Sequence, residues 1–86
     1  MSEFTLKEIK KHIKTFLSLE TEENMDRIDL FENGYIDSLK LFDFISSLEK
    51  KFNIKFDPSD FEDRRFRTIE GIAEIIMEKK NGLYDK

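Results

Sequence analysis

Gly34-Tyr35-Ile36-Asp37-Ser38-Leu39 is the stretch on which the fold of this chain turns, because it joins an acidic, irregular segment to an amphipathic run. Asn33-Gly34 supplies a tight turn, since both residue types tolerate the backbone that such turns demand. Asp37 reads as a helix N-cap, because a short carboxylate reaches the unpaired N–H groups of the first turn. Leu41, Phe44, Ile45, Leu48 and Phe52 follow at three- and four-residue spacing. That period predicts a helix from Ser38 to about Lys51. A second apolar row, Leu39 and Phe42, is offset from this stripe and continues in the small Ser46.

Upstream, Leu6, Ile9, Ile13, Phe16 and Leu17 predict a first helix over residues 5–18, with Lys7, Lys10, Lys11 and Lys14 on the opposite face. Thr5 and Glu8 form a capping-box pair at its start. Between the two helices, Glu20, Glu22, Glu23, Asp26, Asp29 and Glu32 face only Arg27. Met25, Ile28, Leu30, Phe31, Tyr35 and Ile36 lie in the same stretch, more large apolar groups than a disordered linker holds. Residues 20–36 therefore read as an ordered loop pinned by Ile28, Leu30 and Phe31. Downstream, Phe52, Ile54 and Phe56 alternate with polar residues. With no second strand to pair with, they read as an extended connection. Pro58 suits the first turn of a short helix over about Ser59–Glu62. Thr68 caps a last helix whose buried face is Ile69, Ile72, Ala73, Ile75 and Ile76, and Asn81-Gly82 ends it. The expected fold is all-α: one domain over residues 1–86, a small four-helix bundle with three long helices and one short.

A chain of 86 residues has room for a small core but little for a deep, dry substrate pocket. Its net charge of −4 argues against nucleic acid and against an anionic membrane surface. No apolar run approaches the roughly 20 residues that membrane insertion needs. Met1-Ser2-Glu3-Phe4 lacks the basic-then-apolar pattern of a signal peptide. Without cysteine there is no disulfide, thiolate metal site or cysteine nucleophile. A cytoplasmic monomer is expected.

Ser38 stands at the first helical position, its hydroxyl near solvent. A helix start offers unpaired N–H groups and partial positive charge, which favour an anion. His12, the single histidine, lies in the first helix as a surface residue, so Ser38 has no activating base. Ser38 is thus expected to be a substrate for another enzyme, the attachment point of a phosphate-linked group, and the chain to hold no catalytic residue. Asp57, Asp60, Glu62 and Asp63 lack the spacing and glycine of a calcium loop. They read as a solvated acidic face, with no metal site, and Arg64, Arg65 and Arg67 neutralise them.

Asp37-Ser38-Leu39 resembles the Asp-Ser-Leu signature of acyl carrier proteins and the related peptidyl carriers. Leu30 to Leu39 resembles the loop leading into that signature. Leu48 to Ile54 resembles the end of the family's second helix, and Phe66 to Ala73 the start of its last. The resemblance implies that a phosphopantetheinyl transferase moves 4′-phosphopantetheine from coenzyme A onto Ser38, with Asp37 capping the helix and orienting the approach. It further implies that acyl- or aminoacyl-loading enzymes and downstream acyl-processing enzymes visit the arm. Leu39, Phe42, Asp43 and Ser46 would meet these partners on the second helix. Leu41, Ile45, Leu48, Ile72 and Ile76 would line any acyl cavity. The second helix departs from the strongly acidic pattern of fatty-acid carriers, because Lys40, Lys50 and Lys51 offset Asp43 and Glu49. The lead-in also resembles that of stand-alone D-alanyl carriers, with Leu39 in place of their Phe. The expected pathways are fatty-acid, polyketide or related biosynthesis; the alternatives are a stand-alone aminoacyl or D-alanyl carrier, or an unmodified helical module that binds a partner helix through Leu39 and Phe42.

Overall fold

The computed structural model describes residues 4–81. Four α-helices form the chain: α1 (Leu6–Phe16), α2 (Ser38–Phe52), the single-turn α3 (Pro58–Phe61) and α4 (Ile69–Lys80). A 3-10 turn, Arg64–Arg67, precedes α4. No strand occurs among the described residues; 54–57 carry no regular structure, and Asp57 has an extended backbone.

The caps read from the sequence are present. The Thr5 hydroxyl accepts from the Glu8 N–H at 3.1 Å, while Glu8 accepts from the Thr5 N–H at 3.0 Å. The Asp37 carboxylate accepts from the Lys40 N–H at 2.8 Å, and the Thr68 hydroxyl from the Gly71 N–H at 2.9 Å. α2 ends at Asn53, whose left-handed backbone (φ 57°) closes the last turn onto the Glu49 carbonyl. Of the expected Asn81-Gly82 stop, Asn81 caps α4, and Gly82 lies outside the described residues.

Ring contacts fix the helix directions. Phe4 meets Phe52 at 4.8 Å, His12 meets Phe52 at 5.4 Å, and Phe16 meets Phe44 at 5.5 Å. Progress along α1 is thus matched by retreat along α2, so the two are antiparallel. Lys80 lies over the Phe4 ring at 5.8 Å, which sets α4 antiparallel to α1 as well. α2 and α4 therefore run parallel, with their N-termini at the same end. Two parallel helices need a connection that returns along the bundle, and α3 and the 3-10 turn lie within it.

Ile9, Ile13, Leu30, Phe44, Leu48, Phe52, Ile69, Ile72, Ala73, Ile75 and Ile76 are completely buried. The loop before α2 is ordered, as expected. Leu30 is its deepest anchor, Ile28 and Phe31 are half-buried, and Met25 and Ile36 are buried beside them. Its backbone is bonded into the body: the Leu30 N–H donates to the Arg67 carbonyl at 2.8 Å, and the Glu70 N–H to the Asp26 carbonyl at 3.0 Å.

Four readings need correction. The first helix closes at Phe16 rather than residue 18, because Ser18 adopts a left-handed backbone (φ 62°) that no α-helix continues. The short helix begins at Pro58 and is followed by the unforeseen 3-10 turn. Asp63 starts that turn by accepting from the Arg65 N–H at 2.9 Å. The acidic face of Asp57, Asp60, Glu62 and Asp63 is not all solvated. Asp60 is completely buried, and its carboxylate meets the Lys79 ammonium at 2.9 Å. Nor is His12 a free surface residue. Its Nε2 shares a 2.9 Å hydrogen bond with the Ser47 hydroxyl, and its ring stands edge-on to Phe52.

Candidate functional site

The site is built at the shared end of α2 and α4. Gly34 takes φ 79°, a left-handed value that costs glycine nothing. The chain then doubles back, and the N–H groups of Tyr35 and Ile36 both donate to the Leu30 carbonyl, at 2.9 and 3.2 Å. Asp29 holds this bend together. One carboxylate oxygen accepts from the N–H groups of Phe31 and Glu32 at 3.0 and 2.8 Å, and the other accepts from Arg67 Nε at 2.6 Å. The Arg67 hydrogen bond, helped by the Glu32 N–H, holds the Asp29 carboxyl below its ordinary pKa. Arg67 also lies over the Phe31 ring at 5.2 Å. The pairing of Asp29 with Arg67 escaped the sequence reading, which set Arg67 against the acids just before it. Their one signal was the Asp-to-loop turn chemistry, since their pairing spans the chain.

With the bend fixed, Ile36 is buried and Asp37, Ser38, Leu39 and Lys40 emerge into solvent. Asp37 spends its carboxylate on the cap. The first N–H groups of α2 have no intrahelical partner and point at the space around Ser38. The Ser38 hydroxyl hydrogen-bonds no other group among the described residues. His12 is engaged with Ser47, about 13 Å further along the helix axis at 1.5 Å per residue. Burial, then the nearby Lys51 charge, lowers its pKa. It supplies no base to Ser38.

Leu39 and Phe42 are 84% and 79% exposed, far more than the other large apolar side chains among the described residues. Asp43 is exposed on the same helix. Ser46, grouped with them by sequence, instead lines a polar depression with Glu49, Lys50, Asn53, Ile54 and Lys55. An apolar hollow of about 200 Å³ opens beside Ser38, lined by Ser38, Leu41, Phe42, Ile45 and Phe61. This corrects the expected cavity lining. Leu41 and Ile45 reach the hollow, whereas Leu48, Ile72 and Ile76 are buried in the packed interior. Phe61 was missed, because a four-residue helix gives no period to read.

Arg65 and Arg67 do more than neutralise the acids before them. Arg65 bonds Asp63 at 3.0 Å and Glu78 at 2.8 and 3.1 Å, while Arg67 serves Asp29. Arg64 is exposed.

Residues 7–76 match the family described as the phosphopantetheine attachment site. A D-alanyl carrier protein of Lactococcus lactis subsp. lactis (strain IL1403) is 37% identical over 62 residues, covering 72% of this chain and 77% of that protein. A D-alanyl carrier protein of Lactococcus lactis subsp. cremoris (strain MG1363) is 37% identical over 60 residues, covering 70% and 75%. An acyl carrier protein homolog of Mycoplasma genitalium is 37% identical over 51 residues, covering 59% and 55%. No solved structure gives a significant match. The family match runs from α1 into α4 and covers well over half of the chain. The chain therefore belongs to the phosphopantetheine-attachment family of acyl carrier proteins, whose prosthetic group is covalently bound 4′-phosphopantetheine.

Proposed function

We propose that Ser38 Oγ is the attachment atom, and that the chain carries small aminoacyl groups of the D-alanyl kind. The observation that carries the first part is an exposed, unbonded hydroxyl at the start of a capped helix, beside an apolar hollow. These residues fit the group. The helix start favours the phosphodiester by about 0.3–1 kcal/mol. The hollow offers apolar surface to the arm.

In the transfer, Ser38 Oγ attacks the phosphorus that bears the pantetheine in coenzyme A. The Ser38 proton goes to a base of the visiting enzyme, and adenosine 3′,5′-bisphosphate leaves as the phosphoanhydride bond breaks. Asp37 keeps the first turn of α2 formed while this happens. Leu39, Phe42 and Asp43 meet the visitor, and apolar anchors with charged neighbours suit brief docking. Once attached, 4′-phosphopantetheine supplies a flexible arm ending in a thiol that holds the cargo as a thioester.

Two observations support a small amino acid over a long acyl chain. Leu48, Ile72 and Ile76 close the interior, leaving an open hollow of about 200 Å³. The Lactococcus relatives are named as D-alanyl carriers. A cationic aminoacyl group has no use for an apolar core and stays in water. On this reading the protein works as a cytoplasmic monomer, as substrate and tether for loading enzymes and the acyl-processing enzymes that follow. The test is to present the pantetheinylated protein to a D-alanine-activating enzyme with ATP, and separately to a fatty-acyl-loading enzyme. A mass gain of one alanyl group, with at least tenfold slower fatty-acyl loading, is expected. The reverse preference overturns the cargo assignment in favour of fatty-acid or polyketide chains.

A further inference from the structure

Arg67, the last residue of the 3-10 turn, grips three consecutive residues of the loop before α2. Its Nε donates to the Asp29 carboxylate at 2.6 Å, its carbonyl accepts from the Leu30 N–H at 2.8 Å, and its guanidinium lies over the Phe31 ring at 5.2 Å. The bonds that close the bend return to these same three residues. Asn33 donates its N–H and its side-chain amide to the Asp29 carbonyl, at 3.1 and 2.8 Å. The Gly34 N–H donates to the Phe31 carbonyl at 3.2 Å, and Tyr35 and Ile36 donate to that of Leu30. Ile36 is buried two residues before Ser38, so the bend sets where α2 starts. Among the described residues, no hydrogen bond or ion pair of the Arg67 side chain reaches α2 itself.

We propose that Asp29 and Arg67 are positioning residues for the modification of Ser38: their pairing shapes the bend at Gly34 and so fixes the angle at which α2 offers its first turn to the transferase. This rests on Ser38 being the attachment atom, as proposed above. Asparagine cannot stand in for Asp29. One carboxylate oxygen takes two backbone N–H groups and the other takes Arg67, whereas an amide has a single acceptor oxygen. The Arg67 side chain is 48% exposed, and exposed ion pairs add little to global stability. Placement of a reacting hydroxyl acts far more steeply on rate, since a displacement of about 1 Å costs up to about a hundredfold. Leu39 and Phe42 make no part of the clasp, so its loss falls on kcat rather than on KM.

Pantetheinylation kinetics would be measured on the full chain with coenzyme A and a broad-specificity phosphopantetheinyl transferase. The variants are Asp29→Asn, Arg67→Gln, both together, and Ile75→Val. The last trims the buried face of α4 and lowers stability without altering the clasp. Expected is a fall in kcat of about tenfold in each single variant, with KM for the carrier within about twofold. The double variant should lie within about twofold of the slower single one, because the pair acts as a unit. Ile75→Val keeps the parent kcat. Amide hydrogen exchange at Tyr35 and Ile36 should quicken in the clasp variants and not in Ile75→Val. An unchanged kcat in the single variants, an equal fall in Ile75→Val, or full additivity in the double variant overturns the proposal. If Arg67→Gln does not fold, Asp29→Asn against Ile75→Val decides the matter. Failure of the Ser38 reading would look different: no modification of the unaltered chain, or equal modification of Ser38→Ala.

Discussion

Asp37 and Ser38 differ at the mouth of α2: the Asp37 carboxylate is consumed by the cap, and the Ser38 hydroxyl stands exposed. Asp37→Ala should cost about 1 kcal/mol, seen as a lower denaturation midpoint. Leu39→Ala and Phe42→Ala should change stability by less than about 0.5 kcal/mol, because both are solvent-exposed. Each should nonetheless lower kcat/KM for pantetheinylation by about fivefold or more, the loss of one interface anchor. Gly71 behaves in the opposite way. A Cβ there would sit 2.0 Å from the Arg65 carbonyl oxygen, so Gly71→Ala must push α4 off the 3-10 turn. A loss of about 2 kcal/mol or more is expected. Sequence patterns revealed Asp37, Ser38, Leu39 and Phe42, because caps and helical offsets are local. Asp60 was illegible for the converse reason. It sits in an acidic run that looks solvated, and its partner Lys79 comes from another helix.

α1, α2 and α4 were readable as elements, since each carries a long apolar period between a local start and stop signal. The loop before α2 was readable as ordered from its apolar content, but its internal architecture was not. Its stability depends on Asp29 reaching Arg67, a pairing no spacing announces. Because that pairing lowers the Asp29 pKa, its contribution is present above the ordinary carboxylate range and is lost as pH falls through the lowered value. The joint between α1 and α2 has the same sign. Burial and Lys51 lower the His12 pKa, so the fold favours neutral imidazole. Stability from this group is complete above the ordinary histidine value of about 6.5 and declines below it. His12→Gln should therefore flatten the loss of thermal stability on going from about pH 7 to pH 5. An unchanged slope would remove His12 from that account.

At the scale of the molecule, packing and function are kept apart. Ile9, Ile13, Phe44, Leu48, Phe52, Ile72 and Ile76 fill the interior, while Leu39 and Phe42 remain outside it beside Ser38. α2 thus has two apolar faces, one packed in the core and one open to solvent, where the proposed function places visiting enzymes. Its mixed charge, with Lys40 and Asp43 both exposed, gives weaker electrostatic steering than a uniformly acidic helix would. The fold places an anion-favouring helix start, an exposed hydroxyl and an apolar hollow at one end. The most direct test is intact mass after incubation with coenzyme A and a broad-specificity phosphopantetheinyl transferase, with Ser38→Ala alongside. The account predicts a single phosphopantetheine-sized gain in the unaltered protein and none in the variant. No gain in either, under conditions that modify another carrier protein, or an equal gain in both, would contradict the assignment of Ser38.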